Sequence, residues 1–205
     1  MSYRTAALIV AAIACTLVSP AHAHHAMDYQ MPATFVQGLL SGLGHPVIGI
    51  DHLLFTLGAG VLAAQLERGY LLALLFVIAS ILAAAARAAG SPWEMSELWI
   101  AASLVALGGM AMAARKPARG WLAALFGVAG LLHGYALAAA IVGAEAAPLY
   151  AYFAGLAGVQ SSIALAAFGA AKWLAARRPH LPVQRIMGAA VGVAGLIFAG
   201  LIALG

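Results

Sequence analysis

The chain has 205 residues, of which 65% are hydrophobic and only 8% are charged, and its mean hydropathy is +1.01. Soluble domains carry about 25% charged residues, so this composition excludes a soluble globular, disordered or nucleic-acid-binding protein and predicts an integral membrane protein. The formal net charge is +4, and in a membrane protein the placement of the cations matters more than their sum. The single cysteine, Cys15, excludes an internal disulfide and any zinc site built from several cysteines.

The first 23 residues have the layout of a secretory signal peptide. A basic start at Arg4 precedes an apolar stretch, and a small-x-small triplet ends at Ala23. Cleavage after Ala23 leaves one transmembrane domain, residues 24–205, whose first residue is His24. An uncleaved first transmembrane helix is the alternative that the sequence leaves open.

The rest of the chain divides into apolar stretches long enough to cross a bilayer, which takes about 20 residues each. Proline, glycine and charge separate six of them: 46–66, 69–89, 96–114, 120–142, 148–174 and 183–204. The predicted fold class is therefore all-α, a polytopic bundle of six transmembrane helices. Because the connections are short, neighbouring helices are expected to be antiparallel.

Lysine and arginine mark one side of the predicted bundle. Eight of these cations lie in or beside the first, third and fifth connections: Arg68, Arg115, Lys116, Arg119, Lys172, Arg177, Arg178 and Arg185. The opposite side keeps only Arg87. Because short positive loops stay in the cytoplasm, the pattern predicts that this side faces the cytoplasm and that both mature termini lie on the exported side.

The first predicted span carries three polar residues, His45, Asp51 and His52. An ionisable group costs about 2.5 to 3.5 kcal/mol at the centre of a membrane helix, so each calls for a reason. Pro46 suits the first position of a helix and would place His45 at its exported cap. In a regular helix the two histidines share a face but lie about 10.5 Å apart along the axis, too far to hold one ion together.

This spacing therefore suggests two successive metal stations, or one ligand and one supporting group. Asp51 is then either a carboxylate ligand or the acceptor that orients an imidazole from another helix. The alternative is that these polar residues only join helices to one another.

The fourth predicted span holds His133 near its middle, followed by Gly134, which leaves room for a close helix approach. The imidazole is therefore expected to face the bundle interior. Glu145, at the exported end of this span, is either an ordinary loop carboxylate or a group that attracts cations. Gln160 and the two serines after it are either helix-packing groups or weak ligands along a pathway.

The amino terminus left by cleavage would offer its α-amine and the ring nitrogen of His24 as donors. Nitrogen donors favour Ni, Cu, Co and Zn over Mg or Ca. The alternative is a mobile exported tail without a metal.

A short echo links the first and fourth spans. Residues 42–46 and 130–134 both read Gly-Leu-x-His-x, and the two helices run in opposite directions. That is the arrangement of a three-plus-three inverted repeat with a site near the midplane. It predicts that His52 and His133 approach each other.

The run His45-Pro46-x-x-Gly49-x-Asp51-His52-Leu-Leu, on the first helix after a signal peptide, resembles the HupE/UreJ family. Those proteins are inner-membrane permeases associated with nickel supply to hydrogenase and urease, and some are linked to cobalt. Members commonly carry His-Gly-x-Ala-His-Gly-x-Glu on the fourth helix. Here Leu137 stands where the second histidine would be, and no histidine lies on the fifth helix, so the chain resembles a divergent member.

The resemblance implies a permease for a divalent transition metal, most of all Ni²⁺, with Co²⁺ as the other candidate, moving from periplasm to cytoplasm for metalloenzyme maturation. The expected metal-binding residues are, from the exported mouth inward, His24, Glu145, His45, Asp51, His52 and His133. The first two would collect the ion, the third would pass it inward, and the last three would form the intramembrane station. The metal is transiently bound cargo; no prosthetic group and no catalytic residue are expected.

Two other classes of function stay open. The same residues around an open coordination position would suit a metal-dependent intramembrane enzyme, and a structural or assembly subunit would use them only to join helices. Besides the metal ion and the lipid bilayer, the partners left open are a second copy of the chain and a metallochaperone; no nucleic acid is expected.

Overall fold

The structure, a computed structural model, describes residues 31–93, 97–113 and 116–204. The predicted signal peptide, His24 and Arg115 lie outside these residues. The described part is all-α, as predicted, and contains no strand. Its elements are α1 Phe35–Ile48, α2 Ile50–Ala63, α3 Tyr70–Ala88, α4 Glu97–Met112, α5 Arg119–Leu137, a 3₁₀ turn Ala138–Ile141, α6 Ala146–Arg177 and α7 Val183–Leu204.

The first helix begins well before the predicted span. A capping box starts it: the Gln37 backbone N–H donates to Thr34 Oγ1 at 3.2 Å, and the Thr34 backbone N–H donates to Gln37 Oε1 at 3.2 Å. These two bonds satisfy backbone donors that a helix start leaves unpaired. Pro46 is consequently inside α1, near its end, and the prediction that it opens the helix is wrong.

The predicted first span is also broken in two. α1 and α2 are bent by 77° at Gly49, whose backbone is extended with φ −71° and ψ 97°. Pro46 lies just before this break and has no N–H to donate within α1. The expectation that His45 and His52 share a face of one regular helix is therefore wrong: His45 lies in the last turn of α1 and His52 in the first turn of α2.

The helix lengths support part of the six-span prediction. By length and apolar composition, four helices among the described residues are able to cross a membrane, namely α3, α5 with its 3₁₀ turn, α6 and α7, and the bent pair α1–α2 makes a fifth. α4 is apolar but has 16 residues, fewer than the about 20 of an ordinary span. α6 is longer than predicted, at 32 residues.

Three helix pairs form the most extensive contacts: α1 with α6, α3 with α5, and α4 with α7. In the second pair, Gly130 meets the backbone of Phe76 and Gly134 meets the backbone of Ser80. Residue numbers rise together along both helices, so α3 and α5 run parallel. Small residues let membrane helices approach this closely, which is the main source of their packing energy.

The same reasoning gives the directions of the other two pairs. Gly38 meets Pro148 and Gly42 meets Tyr152, so α1 and α6 run parallel. In the third pair Gly108 meets Gly192, while Gly195 meets the backbone and side chains of residues 101–105, so α4 and α7 run antiparallel. All three directions agree with helices that alternate in direction along the chain.

The first, third and fifth connections meet at one end of the bundle. Arg119 Nη1 donates to the Glu67 carbonyl at 3.4 Å. A cavity of ≈ 310 Å³ is lined by residues from all three connections and the adjoining helix ends, among them Gln65, Lys116 and Lys172. We call this the basic end. The three segments that the charge pattern assigned to one side do lie together.

The α3–α5 contact gives a test of this packing. A Cβ atom at Gly134 would overlap the Ser80 backbone, whereas one at Gly127, on the same helix, would meet nothing within 4 Å. Gly134→Ala is expected to lower the free energy of unfolding by about 1 to 3 kcal/mol, the usual cost of overpacking. Thermal unfolding of the purified protein in detergent measures this, with Gly127→Ala as the matched control; equal melting temperatures for the two variants would contradict the close approach.

Candidate functional site

Two imidazoles from different helices meet inside the bundle. His52 Nδ1 lies 2.7 Å from His133 Nδ1, and the ring centroids are 4.9 Å apart. His52 lies in the first turn of α2 and His133 lies on α5; their exposed fractions are 6% and 0%. The expected approach of these two residues is confirmed, and the pair forms the centre of the site.

Hydrogen-bond partners assign the protons of the pair. The Ser103 hydroxyl donates its one proton to the Ile100 carbonyl at 2.7 Å. Its contact with His133 Nε2 at 2.9 Å is therefore accepted by the serine and donated by an Nε2–H. Neutral His133 then has an acceptor at Nδ1, so His52 Nδ1–H is the donor of the histidine–histidine bond.

Asp51 stands beside the other ring nitrogen of His52, Nε2. Its Oδ1 accepts from the His52 backbone N–H at 2.9 Å and lies 4.0 Å from His52 Nε2. A carboxylate in the first turn of a helix is stabilised by the unpaired N–H groups and dipole there. Gly49 leaves the space for both side chains, because a Cβ at this position would lie 2.7 Å from His52 Cδ2 and 3.2 Å from Asp51 Oδ1.

His45 has a different partner. The Tyr152 hydroxyl donates to the Leu137 carbonyl at 2.5 Å, so its 3.3 Å contact with His45 Nδ1 is a bond donated by the histidine. Both side chains are buried, with exposed fractions of 4% for His45 and 0% for Tyr152. His45 therefore belongs to a second polar contact on the other side of the helix break from His52.

The structure does not gather all the expected ligands. Among the described residues, no three His, Cys, Asp or Glu side chains lie close enough to hold one metal ion. It joins His52 to His133 and places Asp51 next to them. Glu145 is exposed at the start of α6, and His24 lies outside the described residues, so the ligand roles of these two stay predictions.

Aromatic rings close one side of the histidine pair. The centroid of the His133 ring lies 4.8 Å from that of Phe55 and 5.8 Å from that of Phe76. Phe55 also stacks on Phe76 at 4.9 Å and meets Phe126 edge-on at 6.3 Å. All three phenylalanines are fully buried. Since Phe55 follows His52 along α2 towards the basic end, the rings form an apolar floor on that side of the pair.

Two partners of the histidines were missed by the sequence analysis. Ser103 is a polar residue in an otherwise apolar helix, a signal that usually marks an interhelical hydrogen bond in membranes. Tyr152 gave a weaker signal, because tyrosine also occurs at membrane interfaces without any partner. Neither residue shows from the sequence which histidine it meets.

Comparison with known protein families shows which family the chain belongs to. The sequence model described as "HupE / UreJ protein" matches residues 11–198. The chain belongs to the HupE/UreJ family. Membership implies a membrane protein of transporter type connected with nickel or cobalt transport. No curated protein and no solved structure matches the chain significantly.

The serine that orients the pair provides a test of the proton assignment. Ser103→Ala leaves the buried His133 Nε2–H without its acceptor, which is expected to cost about 1 to 3 kcal/mol. Nitrogen NMR of histidine-labelled protein should also show His133 losing its single Nε2–H tautomer.

Ser162→Ala is the control, because Ser162 is on the exposed side of α6 and donates only to the Gly158 carbonyl of its own helix. A His133 spectrum that is the same in Ser103→Ala and in wild type would refute the assignment.

Proposed function

We propose that this protein is a permease that carries a divalent transition-metal ion, Ni²⁺ or else Co²⁺, from the periplasm to the cytoplasm for metalloenzyme maturation. The observation that carries the proposal is the buried contact between His52 and His133, made by two helices in a HupE/UreJ chain. Imidazole nitrogen is a ligand that suits nickel and related metals. Burying two ionisable side chains inside a membrane bundle costs free energy, and residues of this kind usually mark a functional site.

The pair in the structure holds a proton in the place that a metal ion would take. Metal–imidazole bonds of about 2.0–2.1 Å require the two nitrogens to stand about 3 Å or more apart. The observed 2.7 Å between the Nδ1 atoms of His52 and His133 is shorter, so the rings must separate slightly when the ion enters between them. The ion then replaces the proton that His52 donates to His133.

Asp51 stabilises the displaced proton when it moves to the other nitrogen of the His52 ring. When His52 Nδ1 binds the ion, its neutral ring carries the proton on Nε2, the nitrogen that lies 4.0 Å from Asp51 Oδ1. A carboxylate behind a metal-bound imidazole fixes the tautomer and strengthens the ligand. Its negative charge also lowers the free energy of a dication in the apolar interior. Asp51 therefore acts as a supporting group behind the His52 ring.

The path on either side of the pair follows from the helix directions. Glu145 and His45 lie towards the end opposite the basic one, where the ion enters; His24 would join them in this collecting role. The floor of Phe55 and Phe76 closes the way to the basic end, so these rings have to move for release. A membrane potential of 100 mV drives an inward dication by about 4.6 kcal/mol, at about 2.3 kcal/mol per charge.

The packing also supports an inverted repeat. With α1–α2 counted as one span, the first half is α1–α2, α3 and α4, and the second half is α5, α6 and α7. When each helix is replaced by its counterpart in the other half, the α1–α6 pair becomes the α5–α3 pair. The α4–α7 pair becomes itself. These are the three most extensive helix contacts in the described part of the chain. Such repeats place their substrate site between the halves near the bilayer midplane, where the His52–His133 contact joins the first span to the fourth.

Cells that express the protein provide the direct test. His52→Ala and His133→Ala are expected to reduce accumulation of radioactive nickel to the level of cells without the protein, because each removes one of two paired nitrogens. Asp51→Asn is expected to weaken nickel affinity about 10- to 100-fold, as loss of a supporting group does. His180→Ala is the matched control, since His180 is exposed on the fifth connection. Equal uptake by wild type and His52→Ala at equal membrane abundance would sink the proposal.

The proposed orientation has its own test. Cys15 is the only native cysteine, so a Cys15→Ser background allows single cysteines to be placed at will. Ala147→Cys, exposed beside the start of α6, should react with a membrane-impermeant maleimide in intact spheroplasts. His180→Cys, at the basic end, should react only after permeabilisation. The reverse labelling pattern would place the basic end outside.

A further inference from the structure

Two fully buried side chains, Ser80 on α3 and Gln160 on α6, stand out from the rest of the interior. Ser80 Oγ and both amide atoms of Gln160 have no hydrogen-bond partner among the residues that the structure describes, and both residues have exposed fractions of 0%. An unpaired buried polar group costs about 1 to 3 kcal/mol. In an interior built mostly of apolar side chains, these three atoms on two packed helices leave hydrogen-bonding positions that a polar guest would satisfy.

Helix register places these two side chains at the same level. α3 runs parallel to α5, and α6, the next helix along the chain, runs antiparallel to α5. α3 and α6 are therefore antiparallel. Ala84 on α3 shares a buried cluster with Tyr152 and Leu156 on α6. Ser80 lies one turn before Ala84, and Gln160 lies one turn after Leu156. Both steps lead towards the basic end, so the two polar side chains face the same layer of the bundle.

That layer is the one that contains the histidine pair. The backbone of Ser80 packs directly against Gly134, the residue next to His133. On α6, Gln160 lies between Leu156, whose backbone meets α1 at Gly42, and Ala164, whose carbonyl meets α2 at Gly60. Gln160 is therefore at the height where α1 ends and α2 begins.

The histidine pair needs donors of this kind. A divalent transition metal takes four or more ligands, and no three His, Cys, Asp or Glu side chains cluster in the described residues. Ser103 does not help, because its hydroxyl already donates to Ile100 and accepts from His133. Ser80 Oγ and Gln160 Oε1 are the buried side-chain oxygens of the described chain whose lone pairs have no partner.

We propose that Ser80 Oγ and Gln160 Oε1 form an oxygen-lined site beside the His52–His133 pair, which holds the permeating divalent cation with part of its water shell. The two oxygens replace some of the water while the imidazoles replace the rest, and the Gln160 amide N–H groups donate to the water that remains. The site rests on the proposed transport function and adds two residues to it.

The test compares Gln160→Leu with wild type in two measurements, nickel uptake by cells and the rise in melting temperature that NiCl₂ causes in the purified full chain. Leucine keeps roughly the volume and removes the unpaired amide, so the metal-free variant should melt at a higher temperature than wild type. The rise caused by NiCl₂ should shrink, and the apparent nickel affinity should fall about 10-fold or more. Gln184→Leu, at the basic end, is the matched control and should leave the nickel response unchanged.

The other outcomes separate the alternatives. A higher metal-free melting temperature with an unchanged nickel response means that the site holds internal water only and overturns the proposal. A lower melting temperature with an unchanged nickel response assigns Gln160 to helix packing and also overturns it. Ser80→Ala repeats the test with a smaller change, so the result does not depend on one variant folding. If wild type shows neither uptake nor a nickel response, the transport function itself fails, a result distinct from failure of the Ser80–Gln160 site alone.

Discussion

The hydrogen bond between His52 and His133 is the contact on which the interior of this bundle depends. It joins the second half of the bent first span to α5, and through Ser103 it continues to the backbone of α4. The direction of each hydrogen bond in this chain depends on the neighbouring bond, because the serine has one proton and a neutral imidazole has one donor and one acceptor. In an apolar surrounding an unmade link is costly, so three helices are held in one relative arrangement by a single chain of polar contacts.

The break at Gly49 makes this contact possible. A straight helix would carry His45 and His52 along one face, whereas the 77° bend directs the start of α2 into the bundle while His45 stays with Tyr152 on α6. The start of a half-helix also presents backbone N–H groups and a favourable place for the Asp51 carboxylate. Discontinuous helices of this kind supply binding sites in many transporters, because irregular backbone in a membrane is tolerated only where it is buried in protein or lines a cavity.

Much of the framework could be predicted from the sequence. The last predicted span has the bounds of α7, and the second differs from α3 by one residue at each end, because charge and proline clearly mark these ends. The first span was misplaced because Pro46 suits the first position of a helix, although Thr34 and Gln37 have capping-box spacing. The approach of His52 to His133 followed from the echo between the first and fourth spans. The partners Ser103 and Tyr152 did not, because which helices pack is decided by contacts far apart in the chain.

The sequence by itself determined that the chain is a helical membrane protein, which end of the bundle is basic, which family it belongs to by motif, and which polar residues needed a reason to be buried. These properties depend on the composition and local spacing of each span and not on contacts between spans. Only the tertiary structure decided that the first span breaks at Gly49, that Ser103 is the partner of His133, and that Ser80 and Gln160 face the same layer. Those features depend on helix register and glycine-mediated approach, which arise only when the helices pack.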